Sequence, residues 1–390
     1  MGIQLSLPVV IDGTGSCSEL TGDDPDNVCC EASTLDRPQF LISAKASASE
    51  AGFTALLAPT EGITHARLEE LGFDEEFARF HTALTELTVS ASDGLPVGGV
   101  LAPSDPIAAE YGKNVFESAY FAHLEQITLM KDAGASFILL KNFDKLWDMR
   151  AGVLAAKSAD MMVIVTMQTD DEGQSRSDTD YLAALITLQA LGADAFGIDC
   201  TEGTDVLAEL LHRACSHAEI PLIAAVDLSR TTAETLSFLC ENGASGFLNT
   251  AQTFREDVPA AVRRMKPAFD PAAEKDSYAA AIYREAFFLP EYIEPSEPLP
   301  CDYDMADEII DLDDETVNVI YIELHSTDDA AYLADNAVMS RLPFMIHTDD
   351  PTTLEAALRY FQGRLIVDGQ CEIEKDQLQR LTDKYGAILY

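Results

Sequence analysis

The sequence predicts an α/β protein, a (β/α)8 TIM barrel followed by a small C-terminal α/β domain. Short apolar runs rich in β-branched and aromatic residues alternate with longer segments of helical spacing, the pattern of repeated βα units and a parallel sheet. Close to eight such units fall within residues 1–265. A glycine near a predicted helix end precedes three of the strands, at Gly52, Gly134 and Gly243. Glycine there can stop a helix in the left-handed conformation.

Eight predicted strands account for the barrel. In order they are Pro8–Ile11, Phe53–Leu57, Val97–Leu101, Ser136–Leu140, Met162–Thr166, Ala195–Ile198, Leu222–Val226 and Ser245–Leu248. Helical spacing lies between them, for example over Tyr181–Leu191 and Thr204–Cys215. In such barrels the reactive groups stand on loops at the carboxyl ends of the strands. Those loops are therefore the place to look for a site.

The composition is that of an ordinary globular chain, with 390 residues of which 47% are hydrophobic. Asp and Glu number 67 against 25 Lys and Arg, a formal charge of −42. This charge repels nucleic-acid phosphates and anionic lipid headgroups, so we expect neither nucleic acid nor a membrane as partner. No apolar run approaches the roughly 20 residues of a membrane span. With no secretory signal pattern and eight scattered cysteines, we expect a cytoplasmic protein with reduced thiols.

After Met265 the βα pattern breaks. Residues 266–315 predict an acidic, Pro-rich linker with a short helix-like piece around 278–288. Residues 316–390 predict a partial βα domain, whose small sheet would need cover from the barrel or from another subunit, so a homo-oligomer stays open. Its predicted elements are strands Val317–Glu323, Phe344–His347, Leu365–Val367 and Ala387–Tyr390 and helices Thr327–Met339, Thr352–Phe361 and Glu374–Tyr385.

Motifs at successive strand ends resemble those of a known family. They are Val9–Ser16 (VVIDGTGS), Ala58–Gly62 (APTEG), Leu140–Asp144 (LKNFD) and Gly192–Cys200 (GADAFGIDC). In order and spacing these resemble the homocysteine S-methyltransferases, including the first module of cobalamin-dependent methionine synthase. The resemblance spans about the first 265 residues. The tail, 316–390, more weakly resembles the last third of the pterin-binding barrel that follows this module.

The resemblance implies a zinc ion held by three cysteine thiolates, which binds homocysteine through its sulfur. Cys200 matches the first of these ligands, but Thr250 and Ala251 stand where the Cys-Cys pair is expected. Zn²⁺ prefers a tetrahedral shell of thiolate and imidazole ligands, so one protein thiolate would hold it weakly. We therefore expect no complete three-cysteine zinc site and no certain cofactor.

The candidate substrate-binding residues stand at the strand ends. They are Asp12, Gly13, Thr60, Glu61, Lys141 and Cys200. A carboxylate at the end of the first strand has little structural reason to be there, which favours a pocket role for Asp12. Lys141 matches a position where the family commonly has Glu, and an ammonium there would attract a carboxylate or phosphate. Two other interpretations stay open: Lys141 as a surface ion-pair partner and Cys200 as a small buried hydrophobe.

Two functions remain open from the sequence. The first is divergent methyl transfer to a thiol or related small nucleophile, from a methylated corrinoid protein or a sulfonium compound. The second is a non-catalytic small-molecule-binding or assembly subunit of a corrinoid-dependent methyl-transfer system. The zinc positions argue against the ordinary family reaction, whereas the resemblance favours a retained small-molecule pocket. The catalytic residues are not assigned.

Overall fold

The fold is a (β/α)8 TIM barrel, as the sequence predicts. A computed structural model describes residues 8–104, 113–267, 279–289, 292–302, 305–312 and 317–390. The barrel strands are β1 (Val9–Ile11), β2 (Leu56–Leu57), β3 (Val97–Leu101), β4 (Phe137–Phe143), β5 (Met162–Thr169), β6 (Ala195–Cys200), β7 (Leu222–Val226) and β8 (Ala244–Asn249). They form one parallel sheet in the order β1-β8-β7-β6-β5-β4-β3-β2.

Backbone hydrogen bonds at the start of β2 close the sheet on itself. The Thr54 N–H donates to the Val10 carbonyl at 2.9 Å, and the Asp12 N–H donates to the Ala55 carbonyl at 3.0 Å. Apolar side chains from the strands fill the interior. This inner core consists of Val9, Ile11, Ala55, Leu57, Val100, Phe137, Leu139, Ile164, Ala195, Ile223, Ala225 and Leu248. The interior is therefore packed, which leaves the strand ends to carry a site.

Helices surround the sheet. They are α1 (Cys17–Thr21), α2 (Cys30–Asp36), α3 (Gln39–Ala51), α4 (His65–Leu71), α5 (Phe77–Ala91), α6 (Lys113–Asp132), α7 (Leu146–Ser158), α8 (Tyr181–Ala190), α9 (Thr204–Cys215), α10 (Ala233–Glu241) and α11 (Val258–Val262). The three predicted glycine stops are confirmed, with φ of 104° at Gly52, 97° at Gly134 and 113° at Gly243. Among the described residues, no helix combines the length and hydropathy needed to cross a membrane.

The rest of the chain adds two small sheets. Its elements are β9 (Ala279–Ile282), β10 (Glu285–Phe288), β11 (Leu299–Pro300), α12 (Ala306–Leu312), β12 (Ile320–Glu323), α13 (Thr327–Asn336), β13 (Phe344–His347), α14 (Pro351–Tyr360), β14 (Gly363–Arg364), β15 (Ile366–Val367), α15 (Lys375–Tyr385) and β16 (Ile388–Leu389). Strands β11-β12-β13-β15-β16 form a parallel sheet, and β10-β9-β14 an antiparallel one. We call residues 279–390 the tail.

The prediction of a helix-like piece around 278–288 is wrong. Its described part forms the hairpin β9–β10, and β9 also pairs with β14, placing Ile282 opposite Gly363. The pairing between β9 and β14 joins residues about 80 positions apart. This long-range pairing overrides the local helix propensity. Within the described part of 266–315, the structure also contains β11 and α12.

The tail packs directly on the barrel. The buried guanidinium of Arg150, on α7, donates to the carbonyls of Leu358 at 2.6 Å and Arg359 at 3.0 Å. On α6, the Glu117 carboxylate accepts two hydrogen bonds from Arg359, at 2.6 and 2.9 Å, and one from the Tyr360 hydroxyl at 3.0 Å. These contacts fix the end of α14 on the barrel helices α6 and α7.

Candidate functional site

Lys141 and Glu61, both predicted from the sequence, meet at the carboxyl ends of β4 and β2. The Lys141 Nζ lies 2.7 Å from a Glu61 oxygen and 3.7 Å from a Glu19 oxygen. Burial alone would lower the pKa of Lys141, but Glu61, Glu19 and Asp199 outweigh it, and the pKa is raised. The side chain is 12% exposed, so this is a largely enclosed ion pair. The ammonium stays charged at neutral pH.

Glu19 is a member of this cluster that the sequence did not indicate. Its second oxygen accepts hydrogen bonds from the backbone N–H groups of Gly15 at 3.0 Å and Ser16 at 3.2 Å. This is the capping box of α1, a local arrangement that fixes the carboxylate. The capping pattern Ser-x-x-Glu was the signal that could have located it. The β1 loop is thereby tied to Lys141.

Asp12 is buried on the side of β1 that faces the helices. Its carboxylate lies 2.5 Å from the Nζ of Lys45 on α3, a side chain with 0% exposure. The same Nζ donates to the Thr14 carbonyl at 3.0 Å, and the Thr14 N–H donates to Asp12 at 3.2 Å. The structure thus gives Asp12 a partner within the fold, and Lys45 was not found from the sequence.

Gly13 and Thr60 also make contacts within the fold. A Cβ on Gly13 would stand 1.9 Å from the Asn249 carbonyl oxygen, so the β1 and β8 loops pack too closely for a side chain. The buried Thr60 hydroxyl donates to the Val100 carbonyl at 2.9 Å and accepts from the Val100 N–H at 2.8 Å. These two residues shape the rim, and their predicted contact with substrate stays a prediction.

Cys200 and Thr250 line one cavity of about 430 Å³ at the ends of β6, β7 and β8. Asp199 and Asp227 line it as well. Ala251 is not among the lining residues; its N–H donates to the Asn249 side chain at 3.3 Å. The structure therefore brings together two of the three positions that the resemblance equates with metal ligands. We call this space the rim cavity.

Asp199 is the titratable group that links the rim cavity to the Lys141 cluster. Burial raises the pKa of its carboxyl group, while the charge of Lys141 and a hydrogen bond from Asn142 hold it down, leaving a net raised value. A carboxylate shifted in this direction is a better proton acceptor than an ordinary aspartate. In the sequence, Asp199 stands within the motif Gly192–Cys200, and no role is predicted for it there.

The residues of the rim cavity do not fit the family's zinc ion. The donor set consists of one thiol where three thiolates are required, with a threonine and an alanine at the other two positions. Burial raises the pKa of the Cys200 thiol, which disfavours the thiolate that zinc needs. Within the described ranges, no group of three or more His, Cys, Asp or Glu side chains could hold a metal ion.

Cys200 should react slowly with iodoacetamide at pH 7, because only the thiolate is nucleophilic and its pKa is raised. The alkylation rate should keep rising above about pH 8.5, the ordinary thiol value. Peptide mass spectrometry after timed quenching follows residue 200 separately from the other cysteines. A rate that is already maximal at pH 7 would show a stabilised thiolate and contradict this description.

The fold and the rim together define a TIM-barrel protein with a cavity of about 430 Å³ at the carboxyl ends of its strands. A sequence model of the family described as homocysteine S-methyltransferase matches residues 9–258. The chain belongs to this family.

Among curated relatives, the chain is similar to methionine synthase of Mycobacterium leprae, with 22% identity, and of Mycobacterium tuberculosis, with 23%. Each alignment covers 90% of this chain and 34% of the relative, so the chain spans about a third of their length. Among solved structures, the metallated and oxidised forms of the homocysteine methyltransferase MmuM from Escherichia coli match with TM-scores of 0.54 and 0.53. Both are 19% identical, covering 66% and 65% of this chain and 96% and 93% of theirs. They support the barrel fold.

Proposed function

We propose that the chain is a divergent homocysteine S-methyltransferase-like protein that methylates a thiol or related small nucleophile without a three-cysteine zinc site. The observation that carries the proposal is the position of Asp199, whose carboxyl group lines the rim cavity beside Cys200 and has its pKa raised by burial. The cavity, about 430 Å³, suits a small-molecule acceptor. Lys141, held by Glu61 and Glu19, places a positive charge near Asp199.

In this reaction Asp199 accepts the proton of the acceptor thiol. The sulfur electron pair then forms the bond to the methyl carbon, and the bond to the donor breaks with its electron pair remaining on the donor. A sulfonium donor leaves as a thioether; a methylcorrinoid donor, which the family resemblance implies, would keep the electron pair of the bond to its methyl group. A correctly placed general base contributes about 10²- to 10⁴-fold to such a step.

Asp199→Asn should lower the methyl-transfer rate by about 10²- to 10⁴-fold. The exposed Asp205, on α9, offers the matched control, and Asp205→Asn should leave the rate within about twofold. In the parent protein, the rate should fall as pH drops through the raised pKa of Asp199, above the ordinary aspartate value of about 3.9. The assay uses homocysteine with either a sulfonium donor or a methylcorrinoid.

Metal removal separates this proposal from the ordinary family reaction. Because the rim cavity holds one thiol, dialysis against a chelator should leave methyl transfer unchanged, and metal analysis should find well under one zinc per chain. Stoichiometric zinc that is released when Cys200 is alkylated would overturn the proposal.

One observation favours the second function, a non-catalytic binding or assembly subunit. The charged groups first assigned to substrate, Asp12, Glu61 and Lys141, are already paired with protein groups. Bound homocysteine should add about 2.7 kcal/mol of stability at 100 times its dissociation constant, and a melting temperature that homocysteine does not shift favours this alternative with another ligand. Under this alternative, no methyl transfer occurs with either donor. Turnover that depends on Asp199 excludes it.

A further inference from the structure

A second cavity, of about 490 Å³, lies where the tail meets the barrel. Lys145 and Trp147 reach it from the end of β4 and the start of α7, and Ser177 from the loop after β5. Tyr283 of the β9–β10 hairpin and Gln362, between α14 and β14, line its other side. We call this space the seam cavity. It shares none of its lining residues with the rim cavity.

The walls of the seam cavity are held by contacts that need no ligand. The Ser177 hydroxyl donates to the Asp144 carboxylate at 2.8 Å. The Tyr283 carbonyl accepts from the Asp180 N–H at 2.9 Å, which ties the hairpin to the β5 loop. A cavity whose walls are fixed in advance avoids the ordering cost of binding. The volume lies within the range of small-molecule sites.

The chemistry of the walls indicates the ligand. Trp147 and Tyr283 both line the cavity, and the 8% of Trp147 that is exposed gives the wall an aromatic part. The Lys145 Nζ lies 5.9 Å from the centre of the indole ring. Asp335 of α13 also lines the cavity and has an interaction of its own within the fold, and none of the ion pairs between described residues includes Lys145. The net charge of −42 repels anions at long range, so the attraction for an anion comes from the Lys145 ammonium at contact distance.

We propose that the seam cavity binds a small carboxylate with a planar apolar body, which stacks near Trp147 and pairs with Lys145. Such a ligand touches the barrel and the tail at once, so its binding also strengthens their contact. The proposal does not depend on methyl transfer, because none of the rim residues is involved.

Benzoate and its neutral counterpart benzamide are the probes, titrated into the full chain. Trp147 is the only tryptophan of the chain, so its fluorescence reports on this cavity directly, and ligand-observed NMR provides a second readout. We expect saturable binding of benzoate, and binding of benzamide about fivefold weaker or more, from loss of the charge-assisted contact. Lys145→Ala should weaken benzoate similarly, and Lys145→Arg should retain it.

The exposed Lys375, on α15, gives a matched control, since Lys375→Ala removes a charge that does not line the seam cavity. It should leave benzoate binding unchanged. Equal binding of benzoate and benzamide, quenching that does not saturate, or an unchanged affinity in Lys145→Ala would each overturn the proposal. Melting temperatures of the Lys145 variants without ligand establish that they fold.

Discussion

Replacing Lys45 by Met should lower the free energy of unfolding by about 3–5 kcal/mol. Lys45 is fully buried and Asp12 is 5% exposed, and their charged groups are 2.5 Å apart. Removal of the ammonium leaves the Asp12 carboxylate enclosed without its cation, a state that water cannot relieve. Urea unfolding at pH 7, followed by circular dichroism, measures the change.

The double variant Asp12→Asn with Lys45→Met distinguishes the stability lost with the ion pair from the stability lost with the packing of the lysine side chain. With neither charge present, most of the lost stability should return, because no uncompensated charge remains buried. Lys157→Met is the surface control: its pair with Asp194 is 41% and 38% exposed and should matter by less than about 1 kcal/mol. A Lys45→Met change as small as that of Lys157→Met would refute the buried-pair interpretation.

The barrel could be predicted because its strands are buried on both faces. Such strands are continuous apolar runs, and amphipathic helices separate them. The predicted bounds of the strands Val97–Leu101 and Leu222–Val226 and of the helix Thr204–Cys215 therefore agree with the structure. The hairpin at 279–288 could not be predicted in the same way. Its alanines, Arg284 and Glu285 favour a helix locally, and only pairing with a distant strand decides otherwise.

The positions of the candidate site residues could be predicted in part, for a similar reason, while their contact with substrate stays a prediction. Strand ends indicate which residues reach the rim, and Lys141, Glu61 and Cys200 do lie there. Which side chains pair is decided by contacts between distant segments. Alternation along β1 could have shown that Asp12, two positions after Val10, faces the helices, since Val9 and Ile11 fill the interior. A lysine among alanines and serines on α3 gave no sign that it is buried.

Arg150 joins the barrel to the tail, and its replacement by Met should destabilise the tail by about 3 kcal/mol. The carbonyls of Leu358 and Arg359 belong to the last turn of α14, where no helical N–H can reach them. A guanidinium there satisfies both and also complements the negative end of the helix. Hydrogen exchange should therefore accelerate in α14 before the barrel strands.

Other residues of the tail provide controls for the hydrogen-exchange experiment on Arg150→Met. Lys384→Met removes an exposed tail ion pair with Glu355, 52% and 43% exposed, and should cost less than about 1 kcal/mol. Arg150→Lys retains the charge but lacks the two-pronged donor, so an intermediate loss is expected. If exchange in α14 is as slow in Arg150→Met as in Lys384→Met, the tail is held mainly by the Glu117–Arg359 contact and the apolar seam. In that case Glu117→Gln, and not Arg150→Met, should release it.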